Sequence, residues 1–97
     1  MGNASQVYSR YRKEIREITD RYPVTNVRVF GSVARGDDCD TSDLDLLVDP
    51  LPSATLFDLG GLQDELQSLL KVKVDLETPG DLPVNVREII ISEAKPV

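Results

Sequence analysis

At 97 residues with 40% apolar side chains, the sequence has material for one small domain with a thin core, spanning 1–97. Its formal charge of −6 speaks against direct nucleic-acid binding, which draws on a basic surface to neutralise phosphates. The lack of histidine removes imidazole bases and histidine zinc sites, and a lone cysteine, Cys39, removes internal disulfides and cysteine zinc clusters.

The charge is uneven. Residues 1–30 hold six Lys/Arg against three acids, so the excess negative charge lies in the remainder. Within the basic part, Val7, Tyr11, Ile15, Ile18 and Tyr22 recur at spacings of four, four, three and four. That stripe predicts a helix capped by Asn3 or Ser5 and ended by Pro23, with Tyr8 and Tyr11 read as core rather than as modification sites. The basic face of this helix reads as solvated surface or as a contact for an acidic partner.

Asn26-Val27-Arg28-Val29-Phe30 is β-branched and aromatic enough to be a strand, which places Gly31-Ser32 where that strand ends and a short helix begins. Glycine there lets backbone approach a ligand closely, and the Ser32 hydroxyl adds a donor, so the turn could hold phosphate. A Gly-Ser pair after a strand is more often only a turn. Arg35 follows, where a cation could face a triphosphate, although such an arginine is more often solvent-facing or paired with a nearby acid.

Ser42-Asp43-Leu44-Asp45-Leu46-Leu47-Val48 reads as a second strand. Side chains two apart share a face, so Asp43 and Asp45 lie about 7 Å apart along the strand on one face while Leu44, Leu46 and Val48 point to the core. With Asp49 and the acidic positions just upstream, these carboxylates repel one another unless a cation is present. Magnesium takes one or two protein carboxylates and completes its shell with water and substrate phosphates, so the pair makes a sensible half-site. A solvated acidic loop running into an edge strand is the plainer alternative, and the Gly-Ser turn upstream argues against it. An EF-hand starting at Asp38 fails, because Asp43 and Asp49 stand where glycine and glutamate are required.

After a Pro50-Pro52-Ser53 connection, a second helix is expected over Thr55 to Leu70, with Leu59, Leu62, Leu66 and Leu69 on its apolar side. Thr55 and Asp58 would form a capping pair, and Gly60-Gly61 would mark a kink or a close approach. Lys71-Val72-Lys73-Val74-Asp75-Leu76 alternates as a third strand. If it pairs beside the Asp43/Asp45 strand, Asp75 shares their face, where it could join a metal pair or accept a proton from an attacking hydroxyl. It could equally be an ordinary strand-end aspartate before the Glu77-Thr78-Pro79-Gly80 turn. A last helix over Pro83 to Lys95 would place Val86, Ile89, Ile90 and Ala94 on one side and Ile91 off it, with Pro96 as the stop. The order of elements predicts an α/β (α+β) fold, a small mixed sheet with helices on one face and the acids on the other.

Taken together, Gly31-Ser32-Val33-Ala34-Arg35-Gly36, the short acidic loop and Ser42-Asp43-Leu44-Asp45-Leu46-Leu47-Val48 resemble the signature of the minimal nucleotidyltransferases, relatives of the DNA polymerase β superfamily. The resemblance runs on through Val74-Asp75-Leu76-Glu77-Thr78-Pro79, where the family places its third acid, and so covers residues 25–80. It implies a nucleotidyltransferase-like fold and transfer of a nucleoside monophosphate from a nucleoside triphosphate, with pyrophosphate released. It further implies that Gly31, Ser32 and Arg35 hold the triphosphate, that Asp43 and Asp45 bind magnesium, and that Asp75 is the third ligand or the base, with two Mg2+ ions and ATP or another NTP taken up. Family members of this size pair with a small helical HEPN-type toxin, which implies an antitoxin in a hetero-oligomer that places AMP on its partner. The alternative is a non-catalytic antitoxin that silences a helical partner by contact alone.

The residue types agree with that chemistry, since displacement at phosphorus needs positioning and charge stabilisation more than a protein nucleophile. A domain this short has little room for its own acceptor-binding module, so the acceptor must come to an open cleft or be presented by a partner. Cys39 as a free thiol suits a reducing, cytoplasmic setting, and no apolar run reaches the roughly 20 residues needed to cross a bilayer. An acylation start at Met1-Gly2 fails because Gln6 stands where Ser or Thr is required.

Overall fold

Strands β1 (Val24–Phe30), β2 (Leu44–Pro50), β3 (Val74–Glu77) and β4 (Lys95–Pro96) form one mixed sheet in the order β3-β2-β1-β4. This computed structural model describes residues 2–97; Met1, with the acylation-start reading that rests on it, lies outside the described residues. β1 runs antiparallel to β2 and β4, whereas β2 and β3 are parallel. A parallel pair needs a crossover, and helix α3 (Leu56–Leu70) supplies it.

The alternation expected of β2 is present: Leu44, Leu46 and Val48 are fully buried. Leu44 and Leu46 meet Val29 and Val74 in a core closed by Ile15 and Ile18 of helix α1 (Asn3–Thr19) and Leu62, Leu66 and Leu70 of α3. Burying a leucine fully is worth roughly 1.5–3 kcal/mol, so this layer supplies most of the driving force for folding. The two long helices cover one face, as the sequence pattern predicts. On α3 the deepest stripe is Leu62, Leu66 and Leu70, with Leu69 packed at its margin.

The opposite face carries a smaller cluster of Phe30, Leu47 and Leu82, against which Ile90 and Ala94 of helix α4 (Val84–Glu93) pack. Only one narrow stripe of α4 finds a neighbour. Ile89, expected on its packed side, is 62% exposed instead, because a ten-residue helix lying on the border of a sheet buries a single row. The helix also stops two residues short of Lys95, and Lys95–Pro96 pairs with Val29 and Arg28 of β1. Proline is tolerated there because β4 is an edge strand.

The start of α1 corrects the capping expectation. Gly2 occupies the cap position, and neither Asn3 nor Ser5 caps the helix with its side chain. The orphan N–H of Ser5 is instead satisfied by Asp38, whose Oδ2 lies 3.1 Å away, and Ser5 Oγ donates to the same carboxylate. These bonds to Ser5 hold the Asp38 carboxyl below its usual pKa. The helix ends at Thr19, so Tyr22 packs on the core from the following turn and Pro23 lies beyond the helix.

At α3 the predicted cap is present in full, with Thr55 and Asp58 bonding reciprocally. Gln63 and Gln67 on the same helix accept the outward N–H groups of Leu76 and Val74 at 3.2 and 3.0 Å. These side chains finish the open edge of β3 and hold it beside β2.

Candidate active site

The turn after β1 forms helix α2 (Gly31–Arg35), closed by Gly36 in the left-handed region. Gly31 itself has φ +73°, and a Cβ placed there would overlap Asp45 Oδ2. Glycine is therefore required twice over, for its backbone angle and for the room it leaves a carboxylate. Phe30 pairs with Asp45 across the antiparallel ladder, and Asp45 pairs with Asp75 across the parallel one. The Gly31 turn, Asp45 and Asp75 thus lie in a row across three adjacent strand ends.

Asp45, Leu47 and Asp49 of β2 project to this side of the sheet, but the environments of the neighbouring acids differ. Asp43 sits just before β2 with Oδ2 3.6 Å from Lys73 Nζ. Asp49 is held by Arg28 through two bonds of 3.1 Å and by Asn26 at 3.0 Å, which keeps its carboxyl below the usual pKa. Asp45 is the reverse case. Burial, then the facing charges of Asp75 and Asp43, push its carboxyl up to about 6. Burial and the charge of Asp75 also raise Glu77. Asp38 and Asp49 are committed to structural bonds, whereas Asp45 faces Asp75 of the neighbouring strand.

Hard oxygen donors brought side by side suit a divalent cation. Among the described residues no three acids converge into a preformed cage. One or two carboxylates suffice for magnesium, which completes its shell with water and substrate phosphates. The donor set therefore fits a half-site that a bound nucleotide would finish.

Glu93, which sequence reasoning missed, closes the other side of the turn. Its Oε1 accepts from Gly31 N–H at 3.3 Å and from Arg35 Nη1 at 3.2 Å. Arg35 Nε donates to Asp37 at 3.2 Å, and the remaining Nη2 makes no hydrogen bond among the described residues. Asp37 and Glu93 together strengthen the protonated form of Arg35. No local signal marks Glu93, since a glutamate near a helix end reads as solvated surface.

The acids lie on a half-exposed sheet face rather than in an enclosed cavity. Clefts of about 270 and 280 Å3 open elsewhere, along α1, the first bordered by Tyr8, Arg12 and Lys95 and the second by Val7, Tyr11 and Leu69.

A mixed sheet with a glycine turn beside paired strand acids defines a nucleotidyl-transferring class of enzyme, and comparison with known proteins agrees. A nucleotidyltransferase-domain profile matches residues 11–97, and the chain belongs to that family. It is 35% identical over 82 residues to MJ0126 of Methanocaldococcus jannaschii, provisionally named a protein adenylyltransferase, covering 84% of each chain. It is 32% identical over 87 residues to the protein adenylyltransferase MntA of Thermococcus cleftensis, covering 90% of this chain and 85% of MntA. A solved structure provisionally described as a minimal nucleotidyltransferase superposes with a TM-score of 0.86 at 38% identity, covering 96% of this chain and 95% of that one. A crystal structure of a toxin–antitoxin with AMP-PNP shares the fold, with a TM-score of 0.74 at 20% identity over 87% of this chain and 69% of that one. No helix among the described residues is long and apolar enough to cross a membrane.

Proposed function

We propose that this nucleotidyltransferase moves AMP from ATP, with magnesium, onto a hydroxyl of a small helical HEPN-type toxin, and that it is the antitoxin of that pair. The observation that carries the reading is the row formed by the Gly31 turn, Asp45 and Asp75 in register across three neighbouring strands. The names of the relatives, protein adenylyltransferases, support the choice of nucleotide and of a protein acceptor.

In this reading Gly31, Ser32 and Arg35 hold the triphosphate, Asp43 and Asp45 bind the metal, and Asp75 is the third ligand or the base. Magnesium, as two ions, would supply Lewis acidity at the phosphoryl oxygens and offset the charge of the acids. The acceptor oxygen forms its bond to the α-phosphorus as the bond to the β-phosphate bridging oxygen breaks. Pyrophosphate leaves, and with Asp75 as base the hydroxyl proton passes to its carboxylate. The acids' half-exposed position on a sheet face supports an acceptor presented by another protein. A cytoplasmic setting, where nucleoside triphosphates and reduced thiols such as Cys39 are found, belongs to the same proposal.

One feature favours the second reading, a non-catalytic antitoxin that acts by contact. Leu56 and Phe57, adjacent at the start of α3, are 86% and 92% exposed. Apolar side chains this bare suit a partner surface, which is all that silencing by contact requires.

The deciding experiment incubates the chain with magnesium and each labelled nucleoside triphosphate, with and without the co-purifying partner, and follows label into protein alongside pyrophosphate release. Label on the partner that disappears in Asp43→Asn and Asp45→Asn supports transfer and names the base. Retained labelling in both variants would sink the site assignment. A tight complex that never acquires label, and that Phe57→Asp disrupts, would leave the contact reading standing.

A further inference from the structure

Glu93 reaches the nucleotide turn from the far end of the chain. α4 ends at Glu93, Ala94 follows, and Lys95 and Pro96 pair with Val29 and Arg28, directly before the turn. The backbone on both sides of this glutamate is therefore anchored, by Ile90 and Ala94 in the Phe30 cluster and by β4 in the sheet. A single oxygen of its carboxylate then spans α2, accepting from the backbone of its first residue and the guanidinium of its last.

The two acids on Arg35 are not equal. Its contact with Asp37 joins side chains 49% and 61% exposed, a setting in which ion pairs contribute little. Glu93 is 26% exposed and shares its acceptor oxygen with the Gly31 N–H. Charge-assisted bonds from two donors to one anchored oxygen fix direction better than a mobile surface pair does. Without Glu93, Arg35 would retain, among the described residues, the contact to Asp37 two residues away, and the Gly31 N–H would lose its bond to the far end of the chain.

We propose that Glu93 is the positioning residue of the nucleotide turn: it fixes the Gly31 peptide and holds Arg35 with Nη2 available to the triphosphate, and so sets affinity for the nucleotide. It touches no reacting atom. The inference rests on the reading of Gly31, Ser32 and Arg35 as the triphosphate seat.

The test titrates the full chain with each of the four magnesium–nucleoside triphosphates by calorimetry, in wild type, Glu93→Ala, Glu93→Gln, Arg35→Ala and the double variant Arg35→Ala/Glu93→Ala. Melting curves are recorded alongside. For the triphosphate that wild type binds, Glu93→Ala is expected to raise Kd about tenfold, the scale of one charge-assisted hydrogen bond. The Ile90 and Ala94 contacts should keep its melting temperature near that of wild type. Glu93→Gln keeps an oxygen for the Gly31 N–H and should recover part of the affinity; it also supplies the readout if the alanine variant does not fold. The double variant should lose less affinity than the two single losses combined, because part of the Glu93 effect runs through Arg35.

Unchanged or tighter binding in both Glu93 variants would overturn the proposal while leaving the nucleotide site intact. Additive losses in the double variant would likewise overturn it, because Glu93 would then not act through Arg35. A wild-type chain that binds no triphosphate would overturn the proposed function itself, and this inference with it.

Discussion

The backbone of Gly31 and the carboxylate of Asp45 compete for the same space: a Cβ on residue 31 would overlap Asp45 Oδ2 and lie 3.2 Å from its Cγ. The glycine turn and the acidic strand are thus one unit. Gly31→Ala would add left-handed strain to that overlap, and should destabilise the chain by about 1–3 kcal/mol. Asp45 would be pushed from its register position, so magnesium–nucleotide binding should fall with stability. Chemical denaturation and a nucleotide titration on the same variant check both; a fully stable Gly31→Ala chain would contradict the contact.

Asp45 makes stability depend on pH in a direction opposite to that of most carboxylates. Its carboxyl stands at about 6 in the folded chain against 3.8 for the free side chain. The folded state therefore holds the proton more tightly than the unfolded state does. The stabilisation from protonated Asp45 is complete below about pH 4 and is lost as pH rises through about 6. Asp45→Asn should remove this component and flatten the melting temperature between those values. Because a cation and a proton compete for the same carboxylate, magnesium should raise the melting temperature more at pH 7.5 than at pH 5. Equal magnesium effects at both values would show that Asp45 is not the ligand.

Arg28 and Asp49 form the opposite kind of pair. The Arg28 side chain is 11% exposed and its bonds to Asp49 hold that carboxyl down, so the pair stabilises above the free aspartate value and fades as pH drops below it. Arg28→Met, which keeps apolar bulk and removes the charge, should cost about 1–3 kcal/mol at pH 7 and less at pH 3. Denaturation curves at the two values measure the difference. Transfer chemistry should persist in this variant, since Asp49 lies at the far end of β2 from the turn.

Gly60 and Gly61 lie within a continuous α3, so neither the kink nor the close approach expected of them is present. Nothing lies within 4 Å of a Cβ built on Gly60, and one on Gly61 meets the Tyr22 ring at an ordinary 3.6 Å. Gly60→Ala should therefore stabilise the isolated chain by about 0.5–1 kcal/mol through reduced unfolded-state freedom. A denaturant titration reads this directly. If complex formation with a partner weakens while the chain alone becomes more stable, the glycine serves a contact on that side of α3, near Phe57.

What the sequence determined by itself is what neighbouring residues determine about each other. Alternation over 44–48 set which β2 residues are core. Thr55 and Asp58 marked the start of α3, and the Gly-Ser turn after an apolar strand marked the place where backbone must leave room. Those signals are local, because a strand or helix repeats every two or 3.6 residues and its caps act within one turn.

Only the tertiary structure decided which acids meet. Parallel pairing of β2 and β3 sets Asp75 beside Asp45 rather than leaving it at a strand end, and it depends on α3 crossing over and on Gln63 and Gln67 finishing the β3 edge. Asp38 and Asp49, indistinguishable from Asp43 by composition, were withdrawn by Ser5 and Arg28. Glu93 and β4 had no periodic signal at all: a two-residue strand has no alternation to read, and Glu93 meets Gly31 across 62 positions of chain. Such contacts arise only when the core has closed, because their bonds follow from where helices and strands are packed and not from the residues beside them in sequence.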